Sequence, residues 1–329
     1  MKKVKVAIVG CSYIGTRHAD RLMRFPDVEL VGFYNRTPEK ARALAAMVGT
    51  GKVYENYVEM LDESRPDAVF VCVSPLAHGP FEIEAAARGI HLFIEKPMAV
   101  DMKTAEEMGD AIRRAGIITS VGFQDRYLDL MEPLRDCLED NPCGLVTGTW
   151  VDKLPNAAWW WTRAASGGQV VEQNIHLFDT LRWLVGEPAS VYAVAGSGLV
   201  RPAFETPGYD IDDYSVTAVT FQNGVTASLV TGDYINNAKT VKNGLTFIGR
   251  DLTLDYHLRE KLVITSARER REIWPQSDQT VTVCRVFIDA VKTGNAEKIL
   301  SPYDDALKSL AFVVATNTSL ETGLPASLR

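Results

Sequence analysis

The sequence lacks the features that would place it outside the ordinary class of globular proteins. No run approaches the ~20 consecutive apolar residues that are needed to span a bilayer. Its five cysteines are an odd number, and no two of them form the CxxC pair that is typical of metal or redox sites. Free thiols in a reducing cytoplasm are therefore the simplest expectation.

The chain also lacks an excess of positive charge. Lysine and arginine total 35 against 42 aspartates and glutamates, which gives a formal net charge of −7. A nucleic-acid partner would require a basic face, so that class of function is disfavoured. The histidine, aspartate and glutamate residues show no grouping with metal-site spacing, and we expect no metal. The start, MKKVKVAIVG, is basic, but its short apolar run ends in glycine, which predicts a first strand and not a signal peptide.

Strand and helix patterns alternate through about residue 120. The predicted strands are KVKVAIVG, VELVGFYN, PDAVFVCVS and IHLFIEK, and the predicted helices are IGTRHADRLMRF, PEKARALAAMV, PFEIEAAARG and MKTAEEMGDAIRRAG. Proline in a first turn and glycine after a last turn mark helix ends. This alternation predicts an α/β fold whose N-terminal part is a doubly wound parallel sheet of the Rossmann type.

The first predicted turn, GCSYIG, lies where a dinucleotide fingerprint would lie, between a strand and a helix. Gly10 and Gly15 occupy the outer positions, while Ser12 replaces the middle glycine and offers a hydroxyl to a phosphate oxygen. Tyr13 and Ile14 complete the turn. The context of strand, turn, helix and second strand predicts that this turn binds NAD(P).

The preference for NAD or NADP depends on a position about 20 residues further on, where an acidic residue would accept a hydrogen bond from the ribose 2′-hydroxyl of NAD. The sequence there is YNRTPEK, so Asn35 replaces the acid and Arg36 follows. A guanidinium without a neighbouring carboxylate favours the 2′-phosphate of NADP. The alternative is that Arg36 stacks on the adenine, which would allow either cofactor.

The stretch VFVCVSPLAHGPFEIEAAARGIHLFIEKPMA resembles the glucose–fructose oxidoreductase/inositol dehydrogenase/MocA (Gfo/Idh/MocA) family. The resemblance rests on an SPxxH turn after the predicted strand PDAVFVCVS and on the tripeptide Glu95-Lys96-Pro97 at the end of the predicted strand IHLFIEK. It implies a Lys-Pro peptide that tends to be cis and a lysine between nicotinamide and substrate. His78 matches the family's loop histidine, for which a structural hydrogen bond is the simpler expectation.

A second segment, SGGQVVEQNIH, places Glu172 and His176 four residues apart, on one face of a regular helix. By the resemblance it aligns with the family's GGGxxxDxxxHxxDxxxWL element, and His176 falls on the catalytic histidine. Glu172 replaces the usual aspartate, and Asn174 stands where glycine is common. The longer Glu172 side chain could buttress His176 or reach substrate or Lys96.

The second half contains period-two stretches such as DYSVTAVTF and VTASLVTGDY around a QNG turn, which are typical of antiparallel hairpins. They predict a C-terminal α+β domain with an open, mainly antiparallel sheet. We place the domains at 1–122 and 123–329, with the last helix packing back on the first domain. An uncovered sheet face would expose an apolar patch. The family resemblance therefore implies a homodimer or homotetramer through this sheet.

Other polar and aromatic residues near these segments carry alternatives. The run Trp159 to Trp161 would suit stacking on a sugar, or equally an interface or a hydrophobic staple. Gln124 and Arg126 lie in the stretch GFQDRY, which follows a further strand after the predicted helix MKTAEEMGDAIRRAG, at the edge where ligands bind in open α/β sheets. Arg126 could instead clamp the domains together. Three further histidines have no cluster around them in the sequence and are expected to be structural or exposed: His18, His91 and His257.

The expected activity is NAD(P)-dependent hydride transfer on a secondary alcohol or ketone of a sugar, polyol or related compound. His176 would exchange the hydroxyl proton, and Lys96 would bind the reacting oxygen. The alternatives are a redox-neutral NAD-dependent glycoside hydrolase or lyase of the same fold, and a non-catalytic NADP-binding sensor.

The sequence thus predicts three sets of site residues. The expected catalytic residues are Lys96, His176 and Glu172. The expected cofactor-binding residues are Gly10, Ser12, Tyr13, Ile14, Gly15, Asn35, Arg36, Ser74, Pro75, His78, Glu95, Lys96, Pro97 and Gln124. The expected substrate-binding residues are Lys96, Arg126, Trp160, Trp161, Glu172, Asn174 and His176.

Overall fold

A computed structural model describes residues 3–200 and 208–328. The chain forms two compact units. The first contains the described residues up to Gln124 together with Gln279–Leu307, and the second contains Asp125–Asp278 and the chain from Lys308 onward. The prediction placed all of 123–329 in the second domain, whereas residues 279–307 belong to the first unit.

The bounds of the elements are as follows. The strands are β1 Val4–Val9, β2 Val28–Tyr34, β3 Lys52–Tyr54, β4 Ala68–Val71, β5 His91–Ile94, β6 Thr119–Val121, β7 Cys143–Asp152, β8 Pro188–Gly196, β9 Tyr214–Phe221, β10 Thr226–Asp233, β11 Gly244–Gly249, β12 Leu252–His257, β13 Lys261–Ser266, β14 Arg270–Ile273 and β15 Ala326–Ser327. The α-helices are α1 Tyr13–Leu22, α2 Pro38–Val48, α3 Tyr57–Ser64, α4 Pro80–Ala87, α5 Met102–Ala115, α6 Met131–Asp140, α7 Arg163–Ser166, α8 Gly168–Glu172, α9 Ile175–Val185, α10 Gln279–Thr293 and α11 Tyr303–Thr322. Short 3₁₀ turns cover Pro75–Ala77, Gln124–Tyr127, Ala158–Trp161 and Ala238–Thr240.

The first unit is a six-stranded parallel sheet in the order β3-β2-β1-β4-β5-β6. This order reverses direction between β1 and β4, the switch point at which open α/β sheets bind ligands. The residues of β4 are buried throughout, as a strand covered on both faces requires. The predicted doubly wound fold is confirmed.

Helix ends in this unit follow the local chemistry of the sequence. Pro38 opens α2, and Gly49 ends it with φ at 76°. Gly116 ends α5 with φ at 63°. Glycine is favoured at both ends because this left-handed conformation costs other residues about 1–2 kcal/mol.

Helix α10 completes the core of the first unit from a distant part of the chain. Phe287 makes edge contacts with Phe70 of β4 and Phe93 of β5, at ring-centroid distances of 5.6 and 5.7 Å. Arg285 and Lys292 of the same helix bind Asp27 at 2.8 and 2.7 Å. These bonds hold the pKa of Asp27 well below its usual range.

The second unit contains a nine-stranded sheet in the order β14-β13-β12-β11-β7-β10-β9-β8-β15. Its pairs are antiparallel except β7 with β10, which is parallel. The sheet is therefore mixed, because β7 enters between β10 and β11. The predicted open, mainly antiparallel sheet is confirmed.

Helix α9 covers one face of this sheet. A Cβ at Gly148 of β7 would lie 2.4 Å from Leu229 and 2.8 Å from Leu245, with Leu177 of α9 at 3.5 Å. The absence of a side chain at Gly148 lets these three leucines pack together. Phe178 adds an edge contact with Phe312 of α11 at 4.9 Å. Each such fully buried side chain contributes about 1.5–3 kcal/mol. In the described part of the chain, no helix is both long and apolar enough to cross a membrane.

Candidate functional site

The glycine turn after β1 is built on close approaches of the backbone. Gly10 has φ at 90°, and a Cβ there would lie 2.2 Å from the carbonyl oxygen of Cys72. A Cβ at Gly15 would lie 2.0 Å from the carbonyl oxygen of Gly10. Both positions therefore require glycine, and the turn brings the start of α1 tightly onto the sheet.

The first turn of α1 is suited to an anion. Ser12 precedes the helix in an extended conformation, its side chain makes no capping bond, and the first turn carries no acidic residue. The N–H groups at such a helix end, with the positive end of the helix dipole, bind phosphate readily. The exposed Tyr13 accepts a 2.7 Å bond from Arg17 beside this turn. These features fit the pyrophosphate of a dinucleotide.

The sequence patterns pointed to Arg36 near this turn, and the structure adds Lys40 as a basic residue that contacts it. The Asn35 carboxamide accepts from Cys11 N–H at 2.9 Å and donates to the Thr37 carbonyl at 3.0 Å. Asn35 thus connects the glycine turn after β1 with the loop after β2. Arg36 is exposed. Lys40 of α2 donates to Ser12 Oγ at 3.4 Å, beside a cavity of about 430 Å³ lined by both. The sequence signal for Lys40 was its position in the first turn of the predicted helix PEKARALAAMV, four residues after Arg36.

The turn after β4 carries Ser74, Pro75 and His78. Pro75 opens a short 3₁₀ turn. His78 Nδ1 lies 2.5 Å from Glu82 Oε1, and the other carboxylate oxygen accepts from Gly79 N–H at 2.8 Å. Neither His78 nor Glu82 exposes its side chain. The bond is the structural one expected for this histidine, and a cofactor contact of these three residues stays a prediction.

The Glu95-Lys96-Pro97 turn follows β5, and its Lys96-Pro97 peptide is cis, which confirms the expectation from the resemblance. Glu95 folds back under the turn and accepts from Lys96 N–H at 3.3 Å. Gly122 leaves room for this carboxylate, because a Cβ there would lie 3.0 Å from Glu95 Oε2. Glu95 thus anchors the segment that carries Lys96.

His18 is part of this anchor, a structural role of the kind expected for it, although its partners are not near it in the sequence. Its Nε2 lies 2.6 Å from Glu95 Oε1, and its Nδ1 lies 3.3 Å from Cys284 Sγ on α10. The partners come from positions 77 and 266 residues away, which local sequence patterns do not link. His91 accepts from Ile118 N–H at 3.0 Å, as a structural histidine would.

Charge holds this buried cluster together. Burial opposes the charged form of His18, but the sulfur of Cys284 and the carboxylate of Glu95 outweigh it and raise the pKa of His18 to about 9. Burial likewise opposes ionisation of Glu95, yet the bond from His18 lowers the Glu95 pKa.

Burial raises the pKa of the Cys11 thiol to about 12, so that thiol stays protonated near neutral pH.

In the second unit, the segment that carries Glu172 and His176 is not one regular helix, so that prediction is wrong. Helix α8 ends at Glu172, and α9 begins at Ile175. Between them the Asn174 N–H donates to the Gln169 carbonyl five residues back, at 3.0 Å. Such a widened π-type turn inserts extra backbone, which changes the angle between Glu172 and His176, and these turns are frequent at functional sites.

Asn174 holds this widened turn with its side chain. Its amide nitrogen donates to the Gln169 carbonyl and side-chain oxygens at 3.1 and 2.5 Å. Gln169 donates in turn to Ser215 at 3.0 Å, and Ser215 bonds Thr231 at 2.8 Å. The buried Oδ1 of Asn174 has no hydrogen-bond partner among the described residues. A substrate contact of Asn174 stays a prediction, and Oδ1 is the atom left to make it.

Two residues beside His176 were missed by sequence reasoning. Asp125 Oδ2 lies 3.8 Å from His176 Nδ1, and Trp150 of β7 stacks on the imidazole at 5.9 Å with an angle of 20°. His176, Asp125 and Trp150 are 6 %, 1 % and 6 % exposed. Asp125 follows Gln124 in a loop that sequence reasoning already assigned to ligand binding, which was the one available signal.

Arg126 forms a buried ion pair inside the second unit. Its guanidinium binds both oxygens of Asp179 on α9, at 2.9 and 2.5 Å, and Asp179 accepts a further bond from Ser309. Both side chains are at most 1 % exposed. Trp183 lies beside this pair, with Arg126 5.8 Å from its ring centroid. A substrate contact of Arg126 stays a prediction.

The tryptophan run packs on a small apolar cluster. Trp160 and Trp161 lie against the cluster of Leu154, Val200, Tyr209 and Ile211. Trp160 Nε1 donates to Asp233 at 3.3 Å and Trp161 Nε1 to the Pro155 carbonyl at 2.9 Å. Trp159 is the exposed member of the run. The described contacts of Trp160 and Trp161 are packing contacts, and a sugar-stacking, interface or staple role stays a prediction.

The described residues contain no group of three histidine, cysteine, aspartate or glutamate side chains that could hold a metal ion.

Comparison with known proteins agrees with this architecture. Residues 4–123 match an oxidoreductase family model with an NAD-binding Rossmann fold, and residues 144–254 match the GFO/IDH/MocA C-terminal domain. The chain is 27 % identical over 224 residues to myo-inositol 2-dehydrogenase of Thermotoga maritima, which covers 67 % of this chain and 66 % of that protein. The match thus spans slightly less than two thirds of that relative's length.

Two further relatives extend the comparison. D-glucoside 3-dehydrogenase of Escherichia coli is 24 % identical over 262 residues, 75 % of each chain. The structure of an aldose–aldose oxidoreductase from Caulobacter crescentus superposes with a TM-score of 0.87 at 23 % identity, over 99 % of this chain and all of that one. This last likeness concerns the fold. From its two matched domains, the chain belongs to the Gfo/Idh/MocA family of oxidoreductases.

Proposed function

We propose that the protein is an NAD(P)-dependent oxidoreductase that acts on a secondary alcohol or ketone of a sugar or polyol. The observation that carries the proposal is the anchored Glu95-Lys96-Pro97 turn. It follows β5 in the same parallel sheet whose β1 leads into the glycine turn. The names of the inositol and glucoside dehydrogenases among its relatives support the substrate class.

The chain's own residues account for the proton and charge steps. A bound nicotinamide supplies the site that accepts or donates the hydride. Lys96 binds the reacting oxygen and stabilises its developing negative charge. His176 takes or gives the hydroxyl proton, because an imidazole exchanges protons readily near neutral pH. Glu172 orients His176 or passes the proton to water.

The direct test is a panel of sugars and polyols incubated with the protein and either NAD⁺ or NADP⁺. We expect growth of the absorbance of the reduced nicotinamide with at least one of these substrates. The Lys96→Met variant, which keeps the length of the side chain but not its charge, is expected to lose about 10²–10³-fold in rate.

Other outcomes of this test identify the rival functions. Product formation without net change in absorbance would indicate the redox-neutral reaction, which the Glu172 replacement favours. Cofactor binding without any product from the panel would indicate the sensor and overturn the proposal.

We further propose that NADP is preferred over NAD. Arg36 is exposed and directly follows Asn35, whose side chain binds the glycine turn at Cys11 N–H, and Lys40 adds a positive charge at Ser12. The Arg36→Ala variant should weaken NADP⁺ binding about 10–100-fold, since a bond to a charged group contributes about 1.5–3 kcal/mol. Binding of NAD⁺ should change little. Titration of both cofactors by calorimetry measures this.

The matched control is Arg42→Ala on helix α2, because Arg42 pairs with Glu39 and Glu55. An unchanged NADP⁺ dissociation constant in Arg36→Ala, or a parallel loss for NAD⁺, would contradict the preference.

We also propose that the chain forms a homodimer or homotetramer through its nine-stranded sheet. Neighbouring strands expose Val194 on β8, Val216 on β9 and Val230 on β10. Val216 lies opposite both others in the register, so these side chains form a contiguous apolar strip. Such strips mark interfaces. Sedimentation of the wild type and Val216→Lys checks this: we expect dissociation of the variant, and a monomeric wild type would contradict it.

A further inference from the structure

Four side chains of the second unit form a closed ring that includes His176. Arg259, in the turn between β12 and β13, binds Asp125 through two parallel bonds of 2.6 and 2.8 Å. The Arg259 guanidinium lies 5.3 Å from the centre of the Trp150 ring, and Trp150 stacks on His176. Asp125 closes the ring at 3.8 Å from His176 Nδ1.

The ring places a carboxylate where water barely reaches. Asp125 is 1 % exposed, and a buried carboxylate requires compensation by charge and hydrogen bonds. The paired bonds from Arg259 supply it, because the planar guanidinium matches the two oxygens of a carboxylate. Asp125 Oδ2 accepts from Arg259 and also faces the imidazole.

Arg259 occupies a backbone conformation that costs an arginine free energy. Its φ is 58°, in the left-handed region, which typically costs a side-chain-bearing residue about 1–2 kcal/mol. Its N–H donates to Tyr256 Oη at 3.1 Å, which fixes the turn. Glycine would adopt this conformation without the cost. An arginine here therefore points to a use for its side chain, whose described contacts include Asp125 and the Trp150 ring.

We propose that Asp125, held by Arg259, is the positioning residue of His176. This inference rests on the proposed acid–base role of His176. The negative charge of a carboxylate 3.8 Å from Nδ1 favours the tautomer with its proton on Nδ1, which leaves Nε2 as the atom that exchanges the substrate proton. Trp150 fixes the plane of the imidazole. The resemblance left Glu172 the alternatives of buttressing His176 or reaching substrate or Lys96, and the structure places the Asp125 carboxylate 3.8 Å from Nδ1 of the ring.

The charges around His176 predict that two variants will change proton binding by His176 in opposite directions. In this unit Asp125 faces the imidazole, Arg259 lies behind Asp125, and Glu172 lies on the preceding helix α8. Removing the Asp125 charge leaves Arg259 uncompensated and disfavours the imidazolium. Removing the Arg259 charge leaves Asp125 to pair with His176 and favours the imidazolium.

The experiment is an NMR titration of the His176 ring in the full chain, with no substrate present. We expect Asp125→Asn to weaken proton binding by His176 about tenfold or more, and Arg259→Met to strengthen it by a similar factor. The Glu172→Gln variant serves as the matched comparison and should give the smaller shift. If Asp125 and Arg259 were purely structural, proton binding by His176 would change in the same direction in both variants or in neither.

Activity then separates this inference from the proposed function. We expect kcat of Asp125→Asn to fall at least ~10-fold with KM nearly unchanged, because orientation and tautomer affect the proton-transfer step. Unchanged titration in both variants, or shifts of the same sign, would overturn the positioning role. If Asp125→Asn does not fold, the stronger proton binding by His176 that is expected in Arg259→Met still tests the positioning role. Opposite shifts with unchanged kcat would instead contradict the acid–base role of His176.

Discussion

Replacing His176 with alanine is expected to lower kcat at least ~100-fold while the dissociation constant of the cofactor stays the same. A positioned acid–base group typically contributes 10²–10⁴-fold to a rate, and alanine offers no proton acceptor. His176 lies in the second unit, whereas the glycine turn that is suited to the cofactor lies in the first. Steady-state kinetics with cofactor titration by fluorescence measures both quantities.

The matched control for this variant is His257→Ala, since His257 lies on β12 of the same unit and carries no proposed role. The control should keep near wild-type turnover. A His176→Ala enzyme that turned over at a similar rate would eliminate the acid–base assignment. A weakened cofactor affinity would show that His176 serves binding in addition to the reaction.

Replacing Arg126 with methionine is expected to lower the free energy of unfolding of the second unit by about 3–5 kcal/mol. Loss of one partner of a buried ion pair leaves the other charge uncompensated, and Asp179 is 1 % exposed. Ser309, which bonds Asp179 and Arg182, would supply only a neutral hydrogen bond. Urea unfolding followed by tryptophan fluorescence measures the loss.

The matched control is Arg135→Met, because Arg135 also lies over the Trp183 ring, at 4.9 Å, but is exposed and should cost less than about 1 kcal/mol. The double variant Arg126→Met/Asp179→Leu removes both charges and should recover part of the stability. Equal unfolding midpoints for Arg126→Met and the wild type would show that the pair does not stabilise the unit.

Much of the first unit is predictable from local pattern. Apolar runs bounded by glycine and proline mark β1, β2, β4 and β5, and each lies where the pattern predicts. The strand order then follows from the right-handed crossover rule and the reversal between β1 and β4. These features depend on neighbours within a few residues of one another, which is the range over which a sequence can be interpreted alone.

The site is predictable only in part. The glycine turn and the cis Lys96-Pro97 peptide follow from the motifs that contain them. The helix around His176 does not, because the widened turn at Asn174 depends on bonds to Gln169 and through it to Ser215 in the sheet. The regular four-residue spacing of Glu172 and His176 was therefore misleading.

The sequence by itself determined the doubly wound sheet and the glycine turn after β1, because short-range spacing and chain geometry encode these, while its resemblance to a family pointed to Lys96 and His176. Only the tertiary structure decided which side chains support them. His18 meets Glu95 and Cys284, and Arg259 reaches Asp125 across 134 residues of chain. Buried charges must find partners wherever packing brings them, and packing joins segments whose separation along the chain carries no signal.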